Sequence, residues 1–431
     1  MDTGFAIFFL FVVAYTLLAS RLNRWLITMP IFFMAVGALL GDFTPEFTPT
    51  VRGIELLTEV TLALLLFADA STLDMRRVLK DALPDRLLLV GLPLSIVIGG
   101  LTALLLFPDQ DIWFAFLLAS ILAPTDAALG LAIFNNEKVP ARIRRALNVE
   151  SGLNDGIVTP FVTLFIALAL TADEGQIDPF LMPALGEIAI AVGVAVVVGV
   201  AGGKLFGIAQ KRKWSPPATQ QLGGLALALF AYAGSVSLGG NGFIAAFVAG
   251  LFFGVTASHH AQEVVEFTEI SGTLLSVLVW TFFGTTTVLS LFQEFNFRAL
   301  LYAIIALTAV RMLAVAIAML GSKLRRDTVA LMGWFGPRGL ASVVFTLIAL
   351  EAFHHEGLQP NVLSAAAGWT ILLSVVLHGI SAKPLADWYA RRLATAPRDI
   401  PELEETAEIT IRRSRWVSEG PATAISPTDT G

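Results

Sequence analysis

Few ionisable residues fall deep inside the apolar stretches of this chain: Asp69, Asp126, Glu150, Asp155, Arg311 and Arg338. Placing any one of them at the centre of a bilayer costs about 2.5–3.5 kcal/mol on insertion scales. Four carboxylates against two guanidiniums leave an acidic excess, which suits a cation. The densest cluster is ESGLNDG, residues 150–156, at the head of an apolar run. On a helix, Ser151 and Asp155 are four residues apart and share one face, as do Glu150 and Asn154 on another. Glu150 and Asp155 point about 140° apart, so they cannot line one small site together. Asp155 with Ser151 is expected to face a cavity. Glu150 is expected to face neighbouring helices and pair with an arginine, and Asn154 to tie its helix to the preceding one.

A second cluster, APTDAALG, places Thr125 and Asp126 directly after Pro124 on the preceding apolar stretch. Two carboxylates, a hydroxyl and a backbone carbonyl freed by the proline make an all-oxygen set that suits a hard cation. Carboxylates sharing a poorly solvated site hold protons as well as cations. A proton and a cation would then compete for the same oxygens, the minimum machinery of proton-coupled cation exchange.

The elements that must position these groups are membrane helices. The 431 residues are 56% hydrophobic and 14% charged, with mean hydropathy +0.76; soluble domains carry about 25% charged residues. The absence of cysteine excludes disulfides and thiolate chemistry. The first apolar run lacks a basic flank and a small-residue cleavage site, and reads as a retained helix. Thirteen candidate spans emerge: 3–20, 26–41, 53–70, 86–107, 112–133, 146–170, 181–209, 219–238, 240–256, 272–292, 298–320, 328–350 and 363–381. Basic loops (RLNR, DMRRVLK, NNEKVPARIRR, QKRKW, SKLRR) follow odd spans, and acidic ones (PDQD, ADEGQID, EAFHHE) follow even spans. Short basic loops stay in the cytoplasm, so the N-terminus is expected outside and the C-terminus inside. Residues 396–431 read as a polar cytoplasmic tail, disordered or a short surface helix.

Two spans are interrupted in their middles: the fifth at Pro124, and the twelfth at Gly336-Pro337-Arg338-Gly339. A helix-interior proline removes a hydrogen bond and clashes with the preceding turn. With span seven as a linker, each break lies in the fifth helix of a six-helix half, and the odd spacing inverts one half relative to the other. Matching interruptions of this kind point to a transport site at the midplane. Asp69, near the end of span three, suits capping or solvation better, and His378 near the end of span thirteen suits a structural role better than proton relay.

These motifs resemble the cation:proton antiporter family, in its sodium/proton exchanger (NhaP-like) branch. The match rests on APTDAALG, on Glu-Ser-x-x-Asn-Asp at Glu150, Ser151, Asn154 and Asp155, on the arginine of span eleven, and on GPRG in span twelve. It covers about residues 1–395. The resemblance implies an all-α polytopic fold of about 13 helices in two inverted six-helix repeats. It also implies a homodimer, with a moving core (about 86–170 and 298–381) and a dimer scaffold (about 3–70 and 181–292). By resemblance, Asp155 carries the exchanged Na+ (or Li+) or proton, with Asp126, Thr125, Ser151 and Asn154 completing the site. Glu150 forms a structural ion pair with Arg311 or, failing that, Arg338. An Asn-Asp pair is similar to electroneutral members, implying one cation per proton by alternating access in a cell membrane, with no cofactor and no enzymatic activity. The family often has a Glu after the Leu-Phe run of span three. Here LLLFAD has Ala68 and then Asp69, which substitutes for it by one position or leaves that contact absent. A K+/H+ exchanger of the same fold is the alternative. An intramembrane aspartyl protease also pairs two aspartates, but its Gly-x-Gly-Asp context is missing.

Overall fold

Apolar runs of twenty residues or more become single helices wherever the chain carries no interruption, because a backbone in hydrocarbon must satisfy its own hydrogen bonds. The computed structural model describes residues 2–43, 51–73, 82–134, 136–170, 178–257, 260–358, 360–395, 397 and 400–404. The DMRRVLK loop and residues 172–177 of ADEGQID lie outside these residues. Helices α1 (Asp2–Arg24), α2 (Met29–Phe43), α3 (Val51–Ser71) and α4 (Ala82–Leu106) cover the first four candidate spans. The fifth begins as α5 (Ile112–Ile121). Helices α6 (Ala141–Leu170), α7 (Asp178–Lys211), α8 (Pro217–Ser237), α9 (Gly242–Ala257), α10 (Ala261–Gln293) and α11 (Phe297–Ala318) follow. The twelfth span is split into α12 (Arg326–Trp334) and α13 (Leu340–His355), and α14 (Asn361–Ala394) closes the bundle. Seven helices among the described residues are long and apolar enough to cross a membrane unaided: α1, α4, α6, α7, α10, α11 and α14. The chain is a multi-pass, all-helical membrane protein.

Short polar residues start several helices. Asp111 accepts the Trp113 amide at 2.7 Å ahead of α5. Asn296 accepts the Ala299 amide at 3.1 Å ahead of α11. Asn241 accepts the Phe243 and Ile244 amides, both at 3.0 Å, ahead of α9. Each satisfies donors that the first turn leaves orphaned. The turn before α9 needs a residue at φ +79°, and Gly239 supplies it without a Cβ penalty.

Without a hydrophobic drive between helices in lipid, close approach depends on small residues. On α9, Gly250 and Gly254 lie against the backbone of Phe67 and Ser71 in α3. On α7, Gly199 and Gly203 lie against Ala249 and Thr256 of α9. Helices α3 and α7 to α10 thus pack closely together, while α4, α5 and α6 pack in sequence and α11 lies along α14.

Among the described residues, three π turns interrupt the long helices, at Leu87–Gly91, Gly284–Val288 and Ala306–Val310. The last directly precedes Arg311. Such turns re-aim side chains and recur at functional sites.

In the C-terminal segment, Pro401–Leu403 forms a 3-10 turn, and the Glu402 side chain is fully buried. A buried carboxylate needs partners; the folded bundle supplies them to Oε1, while Oε2 is buried with no hydrogen-bond partner among the described residues. Residues 405–431 lie outside the described set.

Candidate functional site

The two broken spans meet. After α5 ends at Ile121 the chain is non-helical through Pro124, Thr125 and Asp126. It then regains only a 3-10 turn, Ala127–Gly130, and one short helix, Leu131–Phe134. Between α12 and α13, Phe335 to Gly339 is likewise non-helical. The two crossings exchange their freed backbone groups. The Asp126 amide donates to the Pro337 carbonyl at 2.7 Å. Ser342 Oγ donates to the Ile121 carbonyl at 2.8 Å.

Each crossing also offers the other a charge of the sign it needs. Asp126 Oδ2 accepts the amide of Leu340, the first residue of α13, at 3.2 Å. A helix N-terminus carries partial positive charge and stabilises an anion. Arg338 returns the favour at the C-terminal end of α5: its Nη1 donates to the carbonyls of Ala123 at 2.8 Å and Pro124 at 3.3 Å. These are carbonyls that the break leaves without helical donors.

The two glycines of GPRG make this approach possible. A Cβ on Gly339 would overlap the Asp126 carboxylate, and one on Gly336 would overlap Nε of Arg311.

The helix carrying ESGLNDG is α6. Asn154, with no exposed surface, donates through Nδ2 to Thr125 Oγ1 at 2.6 Å. That leaves the Thr125 hydroxyl proton available to Ser151 Oγ, 3.1 Å away. Asn154 Oδ1 is buried with no hydrogen-bond partner among the described residues. Ser151 and Asp126 line one narrow crevice with Phe335 and Pro337, walled by Gly130, Ile133, Phe134 and Leu147. Asp126, Ser151 and Asp155 are each partly exposed, whereas Thr125, Asn154 and Glu150 are buried. Asp155 sits one turn beyond Ser151 on α6. Thr125, Ser151 and Asn154 are therefore joined directly, Asp126 shares the crevice with Ser151, and Asp155 follows on the same helix.

Glu150 turns away from this crevice. Both its oxygens meet Arg311, Nη1 to Oε1 at 2.6 Å and Nη2 to Oε2 at 2.9 Å. Arg338, the other arginine considered for Glu150, occupies the carbonyls of the first crossing instead. Asp69 lies in the last turn of α3, partly exposed. One turn further on, the Leu73 side chain faces Gly152 of α6.

Of the residues that hold the second crossing, sequence reasoning passed over Ser374 and gave His378 a structural role without its partners. Ser374 Oγ accepts the Arg338 amide at 2.5 Å. His378 is completely buried, with Nε2 2.8 Å from the Trp334 carbonyl and Nδ1 2.9 Å from that of Ser374. The four-residue spacing of Ser374 and His378 on α14 was the available signal. It became informative only once the unsatisfied ends of α12 lay beside it.

Three comparisons bear on this arrangement. Residues 7–388 match the family model described as sodium/hydrogen exchanger, transmembrane. The K(+)/H(+) antiporter NhaP of Alkalimonas amylolytica is 25% identical over 395 residues, 89% of this chain and 65% of that protein. The Na(+)/H(+) antiporter ApNhaP of Aphanothece halophytica is 25% identical over 341 residues, 76% of this chain and 63% of that protein. The alignments thus span slightly less than two thirds of both relatives. The structure of the sodium proton antiporter MjNhaP1 from Methanocaldococcus jannaschii superposes with TM-score 0.73 at 20% identity, covering 90% of this chain and 99% of that one.

Proposed function

The chain belongs to the sodium/hydrogen exchanger family, and from that premise we propose that it exchanges Na+ or Li+ for H+ across a cell membrane by alternating access. One observation carries the reading: a carboxylate, Asp126, is held at the head of a half-helix where two broken spans cross, beside the hydroxyls of Thr125 and Ser151. Broken backbone at membrane depth is tolerated only where it lines a cavity or is buried in protein.

In this reading Asp155 carries the proton or the cation in turn. Asp126, Ser151 and Thr125 supply further oxygens, and Asn154 holds Thr125 in place while presenting its own Oδ1. The cation is cargo, needing several oxygens at once but no permanent cage. Glu150 and Arg311 form the structural pair behind the crossing, and Asp69 is an accessory group at the end of α3. One carboxylate beside an asparagine gives one cation per proton. Helices within 86–170 and 298–381 move as a core against a dimer scaffold built from 3–70 and 181–292; the close glycine packing of α3, α7 and α9 supports a rigid scaffold. The loop charges orient the N-terminus outside and the C-terminus in the cytoplasm.

The test is dissipation of an imposed pH gradient in proteoliposomes, with Na+, Li+ and K+ added in turn. Sodium- or lithium-dependent dissipation is expected. The similarity to a K(+)/H(+) antiporter favours potassium as the second reading, and a response to K+ alone would select it. No response to any cation would remove the exchange reading.

A further inference from the structure

The start of the tail is built into the transport machinery. Glu402 Oε1 accepts the amide of Arg325 and the hydroxyl of Thr328, both at 2.8 Å. Arg325 precedes α12 with an extended backbone and caps it with no side chain of its own. Thr328 is the third residue of α12, and its hydroxyl is also 2.9 Å from Tyr389 of α14. This is the geometry of a capping box, in which a carboxylate takes the amide of the residue preceding the helix. Here the carboxylate comes from the far end of the chain. On its other side the same segment grips α6: Arg142 Nη1 donates to the Pro401 carbonyl at 2.7 Å and pairs with Glu404 at 2.6 Å.

Both helices lead to the crevice. Helix α6 runs from Arg142 to Ser151, Asn154 and Asp155, and α12 runs from Thr328 to the crossing at Phe335. Ile400 packs on the apolar cluster that includes Phe335, Ile133, Phe134 and Leu147, four residues that also wall the crevice. The contact is physically continuous from tail to site, as coupling between distant groups requires.

We propose that residues 400–404 act as an intramolecular strap, with Glu402 a positioning residue that sets the register of α12 and α6 and thereby the geometry of the crossing at Phe335–Gly339. This rests on the exchange reading only for its transport readout.

The test compares full-length wild type with Glu402→Ala and Glu402→Gln, by amide hydrogen exchange and by sodium-dependent proton flux in proteoliposomes. Glu402→Ala is expected to speed exchange across residues 335–340 and to raise the apparent KM for sodium several-fold. Glu402→Gln retains Oε1 as an acceptor and is expected to restore both. Unchanged protection at 335–340, or an unchanged KM, overturns the strap; a lower melting temperature with those amides still protected marks a local cap and overturns it too. If Glu402→Ala does not fold, Arg142→Ala with Glu404→Ala opens the other grip at a partly exposed pair, and protection at 335–340 decides in the same way. Wild type without cation-dependent flux removes the exchange reading and leaves the protection comparison to decide the strap.

Discussion

Arg311 holds Glu150 through both carboxylate oxygens, at 2.6 and 2.9 Å, with each side chain only 1% exposed. The pair joins α6 to α11 immediately behind Gly336 of the crossing. Removing one partner of a buried pair strands the other charge, at about 3–5 kcal/mol. Glu150→Ala is therefore expected to lower the melting temperature of the purified protein sharply. A variant melting with wild type would show that the pair carries no structural weight.

Asp155→Asn and Asp126→Asn keep side-chain volume and remove the charge. Each is expected to abolish cation-dependent proton flux in proteoliposomes while leaving the melting temperature within a few degrees of wild type. Flux retained in Asp155→Asn would take the proton-carrying role away from that residue.

The two glycines of the crossing separate function from stability. A methyl on Gly339 meets Asp126, and one on Gly336 meets Arg311; overpacking of this kind costs about 1–3 kcal/mol. Gly339→Ala is expected to raise the apparent KM for the cation through Asp126. Gly336→Ala is expected to act chiefly on the Glu150–Arg311 pair and hence on the melting curve. Equal effects of the two on both measurements would contradict the division.

Asn154 Nδ2 is the buried donor to Thr125. Asn154→Ala leaves that hydroxyl short of a partner, a loss of about 1–3 kcal/mol, and is expected to weaken both stability and cation affinity. Wild-type affinity in this variant would detach Asn154 from the site.

One cation per proton moves no net charge. Capacitive recording from proteoliposomes on a solid support is expected to show no sustained sodium-dependent current in wild type. A steady current would overturn the stoichiometry.

Much of this protein is legible along its sequence. Helix positions follow from apolar run length, which is a local property. The breaks required more than proline: Pro160, Pro183 and Pro384 ride inside continuous helices, while Pro124 and Pro337 sit at the crossings. What distinguishes the latter is neighbouring Thr125, Asp126, Gly336, Arg338 and Gly339, polar and small residues that give a freed backbone its partners. Ser374, His378 and Glu402 were not legible as partners, because each answers an unsatisfied group that exists only after distant helices meet.

By itself, the sequence determined an all-helical membrane chain with two interrupted spans and a short roster of intramembrane charges, since hydropathy and proline geometry act over neighbouring residues. Only the tertiary structure decided what each charge meets. Arg311 and Glu150 are 161 residues apart, and Arg338 and Ala123 are 215 apart. Apolar periodicity says that such groups lie in the membrane, but not which arginine faces a carboxylate and which faces a row of carbonyls. That choice is made by how the two broken spans cross, because a guanidinium out of water goes to the nearest oxygens that nothing else satisfies.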